Sequence, residues 1–189
     1  MPEGLLIIRL GLGLILFAHG GQKLFGWFGG YGLDGTGGFF ESIGHRPGRQ
    51  MAMLAGLSEA VGGVLLVLGL FTPLAAAMLV GTMIVASISV HAPQGLWATN
   101  GGYELPLTNA VVATGLAFTG AGAWSLDHVF GIPWTRGAGP GIWALAFAAA
   151  GAGIMLTRRT KALQAAAEAE TAYPSDAAAT ADQQQQVSG

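Results

Sequence analysis

Five separate stretches of this sequence are apolar enough, and nearly long enough, to cross a membrane as helices. A bilayer core about 30 Å thick requires ~20 apolar residues in a helix, because lipid offers no partner for free backbone N–H and C=O groups. Only 10% of the 189 residues are charged, whereas soluble domains carry about 25%. The five stretches are residues 5–25, 51–71, 74–90, 105–123 and 139–156. The sequence therefore predicts an all-α, polytopic bundle of transmembrane helices in contact with the lipid bilayer.

The charge balance and the cysteine count exclude several kinds of function. Eight Lys and Arg residues against ten Asp and Glu give a formal net charge of −2, which provides no basic surface for a nucleic acid. The chain contains no cysteine. It therefore cannot use a disulfide, a thiol nucleophile, a dithiol redox pair or a thiolate metal site. Any redox role must be indirect.

Glycine is unusually frequent, with 32 residues, and many lie inside the apolar stretches. Small residues let transmembrane helices approach closely, and packing drives helix association in lipid. We therefore expect tight helix contacts at many of them. The glycines in or beside the predicted spans are Gly11, Gly13, Gly56, Gly62, Gly63, Gly69, Gly81, Gly115, Gly151 and Gly153.

Ionisable and polar side chains inside these spans predict a pocket near one membrane face. Such a group near the bilayer centre costs roughly 2.5–3.5 kcal/mol on insertion scales, so it normally turns inward and finds a partner. With helices of alternating direction, His19 lies ~10 Å and Glu59 ~12 Å from the same face. The predicted pocket residues are His19, Lys23, Glu59, His91, Glu104 and Asn109, bordered by Trp27, Trp97 and Tyr103.

Three interpretations of this pocket are open. Glu59 can pair with His19 or Arg9 and fix the helix register. Alternatively, the imidazole and the carboxylate can exchange protons and hydrogen-bond the carbonyls of a quinone. Metal binding is the third, but the spacing matches no ligand pattern, so we assign no metal ligand. Asp127 and His128, at the opposite face, are interpreted as solvated or capping residues.

The distribution of Lys and Arg predicts the orientation. Most of them fall on the side that holds the C-terminus, which by the positive-inside rule predicts a multi-pass inner-membrane protein with its N-terminus outside and its C-terminus cytoplasmic. A signal peptide is the competing interpretation of the first apolar stretch. Between the first two spans, residues 37–43 suit a short interfacial helix, with Trp27, Phe28 and Tyr31 at headgroup depth.

A series of motifs in this order resembles the DoxX family of bacterial membrane proteins. The motifs are Arg9-Leu-Gly11, His19-Gly20, Lys23 to Gly30, Gly35-Thr36, Phe39-Phe40, Glu59 with Gly62-Gly63, Thr82-Met83, His91, Gly101 to Glu104 and Ser125-Leu126-Asp127. The resemblance implies a four-helix core over residues 1–128. We expect residues 129–161 to add a loop and a fifth transmembrane helix, and residues 162–189 to form an Ala/Gln-rich tail that is disordered after an initial helical extension.

Some proteins of this family work in redox or sulfur metabolism. One relative is a membrane subunit associated with thiosulfate:quinone oxidoreductase, and another links superoxide dismutase to a sulfurtransferase at the membrane. The resemblance therefore implies a component of a redox, oxidative-stress or sulfur system, with a quinone or small-molecule pocket, no built-in cofactor and soluble redox proteins of these types as partners. A subunit of a thiosulfate:quinone oxidoreductase-like enzyme and a small-solute or proton transporter are the alternatives. Whether the chain is catalytic stays open.

Overall fold

The computed structural model describes residues 2–172, and all regular structure within them is helical. Each long helix coincides with an apolar stretch of the sequence, because a helix satisfies its own backbone hydrogen bonds in lipid. Seven α-helices follow one another in this part of the chain: α1 (Pro2–Phe25), α2 (Gly32–Ser42), α3 (Gly48–Leu68), α4 (Thr72–Ala86), α5 (Glu104–Thr119), α6 (Leu126–Val129) and α7 (Ala138–Ala172). The all-helical fold class is confirmed.

Four helical segments among the described residues are long and apolar enough to span a membrane. They are Pro2–Phe25, Gly48–Leu68, Thr72–Gln94 and Ala138–Thr171, and they correspond to four of the five predicted spans. The remaining prediction, a span over residues 105–123, is too long. Helix α5 has 16 residues, or ~24 Å of rise. It stops at Thr119 because Gly120 has a φ of 74° and leaves the helical conformation.

The connection between α3 and α4 is a tight hairpin, as its sequence predicts. Gly69 ends α3 in the left-handed conformation, and Pro73 lies in the first turn of α4, where its missing N–H costs nothing. At its other end α4 continues through a π-helical turn, Ser87–His91, and a short 3₁₀ turn, Ala92–Gln94. A π-turn of this kind is a local departure from regular helix that often accompanies a functional region.

Antiparallel packing of α1 on α3 forms the most extensive contact of the bundle, and α4 joins this pair to α5 and α7. Two pairs of glycines allow the close approach. A Cβ on Gly63 would lie 2.5 Å from the carbonyl oxygen of Gly13, and a Cβ on Gly20 would lie 2.6 Å from that of Gly56. Tight packing is thus confirmed at these positions. The prediction of tight packing is wrong at four other glycines, which have open space around them: Gly11, Gly115, Gly151 and Gly153.

The segment between α1 and α3 folds back beside the bundle. Helix α2 packs mainly on α3. It covers Gly32–Ser42 and therefore begins five residues before the interfacial helix predicted at residues 37–43. Trp27, Phe28 and Tyr31, which precede it, are all exposed. Helix α7 continues through Ala172, so residues 162–172 extend it, whereas the remainder of the predicted tail, residues 173–189, lies outside the described residues.

Candidate functional site

A buried ion pair joins the end of α1 to the middle of α3. Lys23 Nζ lies 2.5 Å from Glu59 Oε2, and the Glu59 side chain is only 4% exposed. Gly56, one turn before Glu59 on α3, leaves room for this contact: a Cβ there would lie 3.3 Å from the Cβ of Lys23. The pair neutralises two charges that lipid would otherwise penalise.

The predicted partners of Glu59 need correction. Arg9 does not pair with Glu59, because Arg9 bonds to backbone carbonyls at the opposite end of α3. His19 lies on α1 one helical turn before Lys23, but its side chain is exposed. Lys23 is therefore the partner that the structure provides for Glu59.

A cavity of about 560 Å³ opens beside this ion pair. It lies between the last turn of α1, the short turn that follows it, and α2. Its polar groups come from Gln22, Lys23 and Thr36, whereas aromatic rings cover much of the rest. The complete lining is Gln22, Lys23, Gly29, Gly30, Tyr31, Gly35, Thr36, Phe39 and Phe40.

Glycines in the turn after α1 make this cavity. Gly26 reverses the chain with a φ of 73° and so ends α1. Gly30 then approaches α1 so closely that a Cβ on it would lie 2.5 Å from the carbonyl oxygen of Gln22. The run Gly26-Trp-Phe-Gly-Gly-Tyr-Gly thus turns the chain back on itself and places α2 opposite the end of α1.

Of the six predicted pocket residues, Lys23 alone lines this cavity, and three of the others have contacts elsewhere. His91 Nδ1 lies 2.7 Å from the carbonyl oxygen of Gly101. Glu104 accepts a 2.8 Å hydrogen bond from the backbone N–H of Ala98. Both contacts order the connection between α4 and α5. Asn109 Nδ2 lies 3.9 Å from Met83 Sδ, and this contact joins α5 to α4.

The predicted border aromatics are divided between two places. Trp27 packs against the end of α1, where its ring lies 4.8 Å from that of Phe25 and fills the space beside Gly21. Trp97 is exposed and Tyr103 is half-buried, and both belong to the connection between α4 and α5. Of the three, Trp27 is the one in the turn that shapes the cavity.

Several residues of this region were not predicted as site residues. Gln22, Thr36 and Phe40 line the cavity. His45 is buried next to Phe40, with its Nε2 atom 2.9 Å from Ser89 Oγ. The Gly35-Thr36 and Phe39-Phe40 motifs were the available signal, because they belong to the family resemblance. Within residues 2–172, no three His, Cys, Asp or Glu side chains lie close enough together to hold a metal ion.

The opposite end of the bundle holds two further buried charges. Arg9 is 2% exposed and donates to the carbonyl oxygens of Leu66, Val67 and Trp124. Asp127 is also buried. Its carboxylate accepts hydrogen bonds at the start of α4: from the Phe71 N–H at 2.7 Å, the Thr72 N–H at 3.1 Å and the Thr72 hydroxyl at 2.6 Å. Asp127 is thus a capping residue, whereas its neighbour His128 is exposed.

Comparison with known proteins identifies the family. The DoxX family profile matches residues 4–92. An uncharacterized protein of Haemophilus influenzae is 35% identical over 133 residues, which cover 68% of this chain and 92% of that protein. The chain belongs to the DoxX family. An uncharacterized membrane protein of Mycobacterium tuberculosis is 32% identical over 137 residues, which cover 67% of this chain and 81% of that protein. No solved structure is significantly similar.

The DoxX match covers α1 to α4 and therefore includes the cavity and both members of the Lys23–Glu59 pair. Glu104, Asn109 and α7 lie beyond the matched residues. This DoxX protein thus has its cavity entirely within the family region. Helix α7 packs on the same bundle through α4.

Proposed function

We propose that this DoxX protein binds a quinone in the cavity beside Lys23 and serves as a membrane component of a redox system. The observation that carries the proposal is the position of Lys23. Its side chain both lines the cavity and contacts the buried carboxylate of Glu59. A ligand in the cavity would therefore lie next to a pair of groups that can hold and exchange a proton.

The size and lining of the cavity suit an amphipathic ring. Its volume of about 560 Å³ falls within the range of about 300–1,000 Å³ typical of small-molecule sites. Tyr31, Phe39 and Phe40 provide faces against which a flat ring can pack. The Lys23 ammonium, the Gln22 amide and the Thr36 hydroxyl provide donors for ring carbonyls.

The surroundings of the cavity favour a ligand that arrives through the membrane. Tyr31 is 86% exposed, and Phe25, Trp27, Phe28 and Phe39 expose large parts of their rings in the same region. Aromatic side chains of this kind lie at the level of lipid headgroups. A quinone with its ring at this depth would keep its hydrocarbon tail among the acyl chains.

A partner protein would have to exchange electrons with the bound quinone. The chain has no cysteine, so a dithiol pair cannot carry electrons within it. We propose a soluble redox protein, of the superoxide dismutase or sulfurtransferase type, as that partner. Affinity purification from native membranes should recover it together with quinone. Recovery of quinone without a partner protein would support quinone binding but reject the proposed partner.

We propose that the cavity faces the cytoplasmic side of the inner membrane. The end of the bundle that holds the cavity also carries most of the Lys and Arg residues of the chain: Lys23, Arg46, Arg49, Arg158, Arg159 and Lys161. Such an excess marks the cytoplasmic side. A reporter fused after Lys161 should therefore be active in the cytoplasm, and periplasmic activity would reverse the orientation.

Direct binding measurements test the quinone proposal. Purified protein in lipid nanodiscs should bind a short-chain quinone saturably, and Lys23→Gln should weaken binding about tenfold or more, as expected for the loss of a hydrogen bond to a charged donor. Phe40→Ala should weaken it as well. Lys161→Gln and Phe147→Ala are the matched controls, because both side chains are exposed and neither lines the cavity. Absence of saturable binding, or equal affinity in all four variants, would reject the proposal.

A further inference from the structure

His45 lies where the connection between α2 and α3 meets α4 and α7. It belongs to the connection between α2 and α3 and is only 5% exposed. Its Nε2 atom lies 2.9 Å from the hydroxyl of Ser89, in the π-helical turn that ends α4. A side-chain hydrogen bond thus ties this connection to α4.

Helix α7 holds the same connection from another direction. Arg159 Nε donates a 2.9 Å hydrogen bond to the carbonyl oxygen of Ile43. Leu163 packs against Gly44 so closely that a Cβ on this glycine would lie 2.7 Å from Leu163 Cγ. Residues 43–45 are therefore held by hydrogen bonds to both α4 and α7.

The junction reaches the cavity through one aromatic ring. The imidazole of His45 lies 5.8 Å, centroid to centroid, from the ring of Phe40. Phe40 in turn forms part of the cavity wall. A movement of His45 out of its buried position would therefore remove a packing contact of the Phe40 ring.

The charges around His45 disfavour its protonation. Burial lowers the pKa of His45, and the Arg159 guanidinium lowers it further. The acidic groups on α2 are engaged elsewhere, since Glu41 lies 3.6 Å from Arg46 and Asp34 lies 2.8 Å from Arg49. On the α4 side, His91 bonds to the carbonyl oxygen of Gly101.

We propose that His45 is a proton-sensitive latch that holds the α2–α3 connection against α4 and α7 when neutral and releases it when protonated. In the released state the imidazole reaches water, away from Arg159, and the Phe40 side of the cavity loosens. The effect on a bound quinone rests on the proposed function, but the latch itself does not require a ligand.

The direction of the pH effect follows from linkage. Because the pKa of His45 is lower in the latched state than in the released state, the released state binds more protons. The latch is therefore firm above a pH of about 6.5, the ordinary pKa of histidine. Below that value the ratio of released to latched molecules rises by up to about tenfold per pH unit, until the pH reaches the lower pKa of the latched state.

Distance measurements between two spin labels test the latch. The chain has no cysteine, so Ser42→Cys on α2 and Lys161→Cys on α7 introduce the two labelling sites, and both side chains are exposed. In the full chain in nanodiscs, without ligand, a longer-distance population should grow reversibly between pH 8 and pH 5. An unchanged distance distribution over this range would overturn the proposal.

Three variants in the same labelled chain separate His45 from other titrating groups. His45→Gln can still hydrogen-bond to Ser89 but does not titrate, so its distances should not depend on pH. Arg159→Gln removes the cation and should reduce the pH response, whereas Arg159→Lys should keep it. A response in His45→Gln equal to that of the unsubstituted histidine would overturn the proposal. Because no quinone is present, this result is independent of whether the cavity binds one.

Discussion

Buried charges lie toward both ends of the helical bundle, but their hydrogen-bond partners differ. At one end, Arg9 and Asp127 are bonded to groups at the ends of helices: Arg9 to carbonyls at the end of α3, and Asp127 to N–H groups at the start of α4. At the other end, Lys23 and Glu59 are bonded to each other beside a cavity.

This difference shows that a buried charge in a membrane helix does not by itself mark a functional site. Arg9 and Asp127 complement the partial charges at two helix ends and fix the α3–α4 hairpin. Lys23 and Glu59 instead bond to each other through their side chains, and Lys23 also faces open volume. We therefore expect substitutions at the first end to reduce stability and substitutions at the second end to reduce binding.

Removal of Arg9 should have the largest effect on stability. Arg9→Met removes the charged donor from three carbonyl oxygens, of which that of Leu66 still accepts from the Gly69 N–H. Since a hydrogen bond to a charged group contributes about 1.5–3 kcal/mol, we expect a loss of about 3–5 kcal/mol. Thermal unfolding in detergent measures it. The protein that still folds should bind quinone with unchanged affinity. A variant as stable as the original would show that Arg9 does not hold the elements at its end of the bundle together.

The glycine contacts between the two ends should be the next most sensitive. Gly63→Ala places a Cβ 2.5 Å from the Gly13 carbonyl oxygen and 2.7 Å from the Phe17 nitrogen, which must push α1 and α3 apart at a cost of about 1–3 kcal/mol. Gly153→Ala is the matched control, because nothing lies within 4 Å of its Cβ. Equal melting temperatures for the two variants would argue against close packing of α1 on α3.

Loss of the α4 cap should have a smaller effect. Asp127→Ala removes the acceptor for the N–H groups at the start of α4, and replacement of such a cap costs about 0.5–2 kcal/mol. His128→Ala, at the exposed neighbouring position, should leave the melting temperature unchanged. Quinone affinity should be the same in both variants, and a loss of binding in Asp127→Ala would contradict the division between the two ends.

The smallest stability effect should come from Glu59→Gln. The amide oxygen can still accept a hydrogen bond from Lys23, whose side chain is 23% exposed and can keep its ammonium in contact with water. The unfolding free energy should therefore fall by about 1 kcal/mol or less. Glu59→Leu leaves the ammonium without an acceptor and should be more destabilising. Quinone affinity should fall in both variants. Equal destabilisation by Gln and Leu would mean that the charge of Glu59, and not its hydrogen bond, matters for folding.

The apolar stretches predicted most of the fold because in lipid the hydrogen-bonding requirement alone selects helices. Helix length was the weaker prediction. The sequence places no charge between residues 105 and 123, but the positive φ of Gly120 shortens α5, and composition alone does not predict such a turn. The sequence alone likewise does not tell a glycine on an open helix surface from a glycine in a helix contact. Gly11, which has open space around it, and Gly13, which contacts α3, could therefore not be distinguished.

The candidate site was predictable in part. Residue counts along two antiparallel helices correctly brought the end of α1 to Glu59, but the depth of a residue does not determine the face of the helix on which it lies. His19 was therefore expected where Lys23 makes the contact. The cavity itself depends on Gly26 and Gly30 and on the return of α2 toward α1. Hydrophobic periodicity contains no information about that chain reversal.

Photoaffinity labelling with an azidoquinone tests the contrast between the two ends most directly. The labelled protein, irradiated in native membranes and digested, should carry the label on peptides that contain Gln22 and Lys23 or residues 29–40, and excess unmodified quinone should prevent it. Label on residues 121–130 near Arg9, or label spread over lipid-facing positions and unaffected by competitor, would contradict a quinone site beside Lys23 and Glu59.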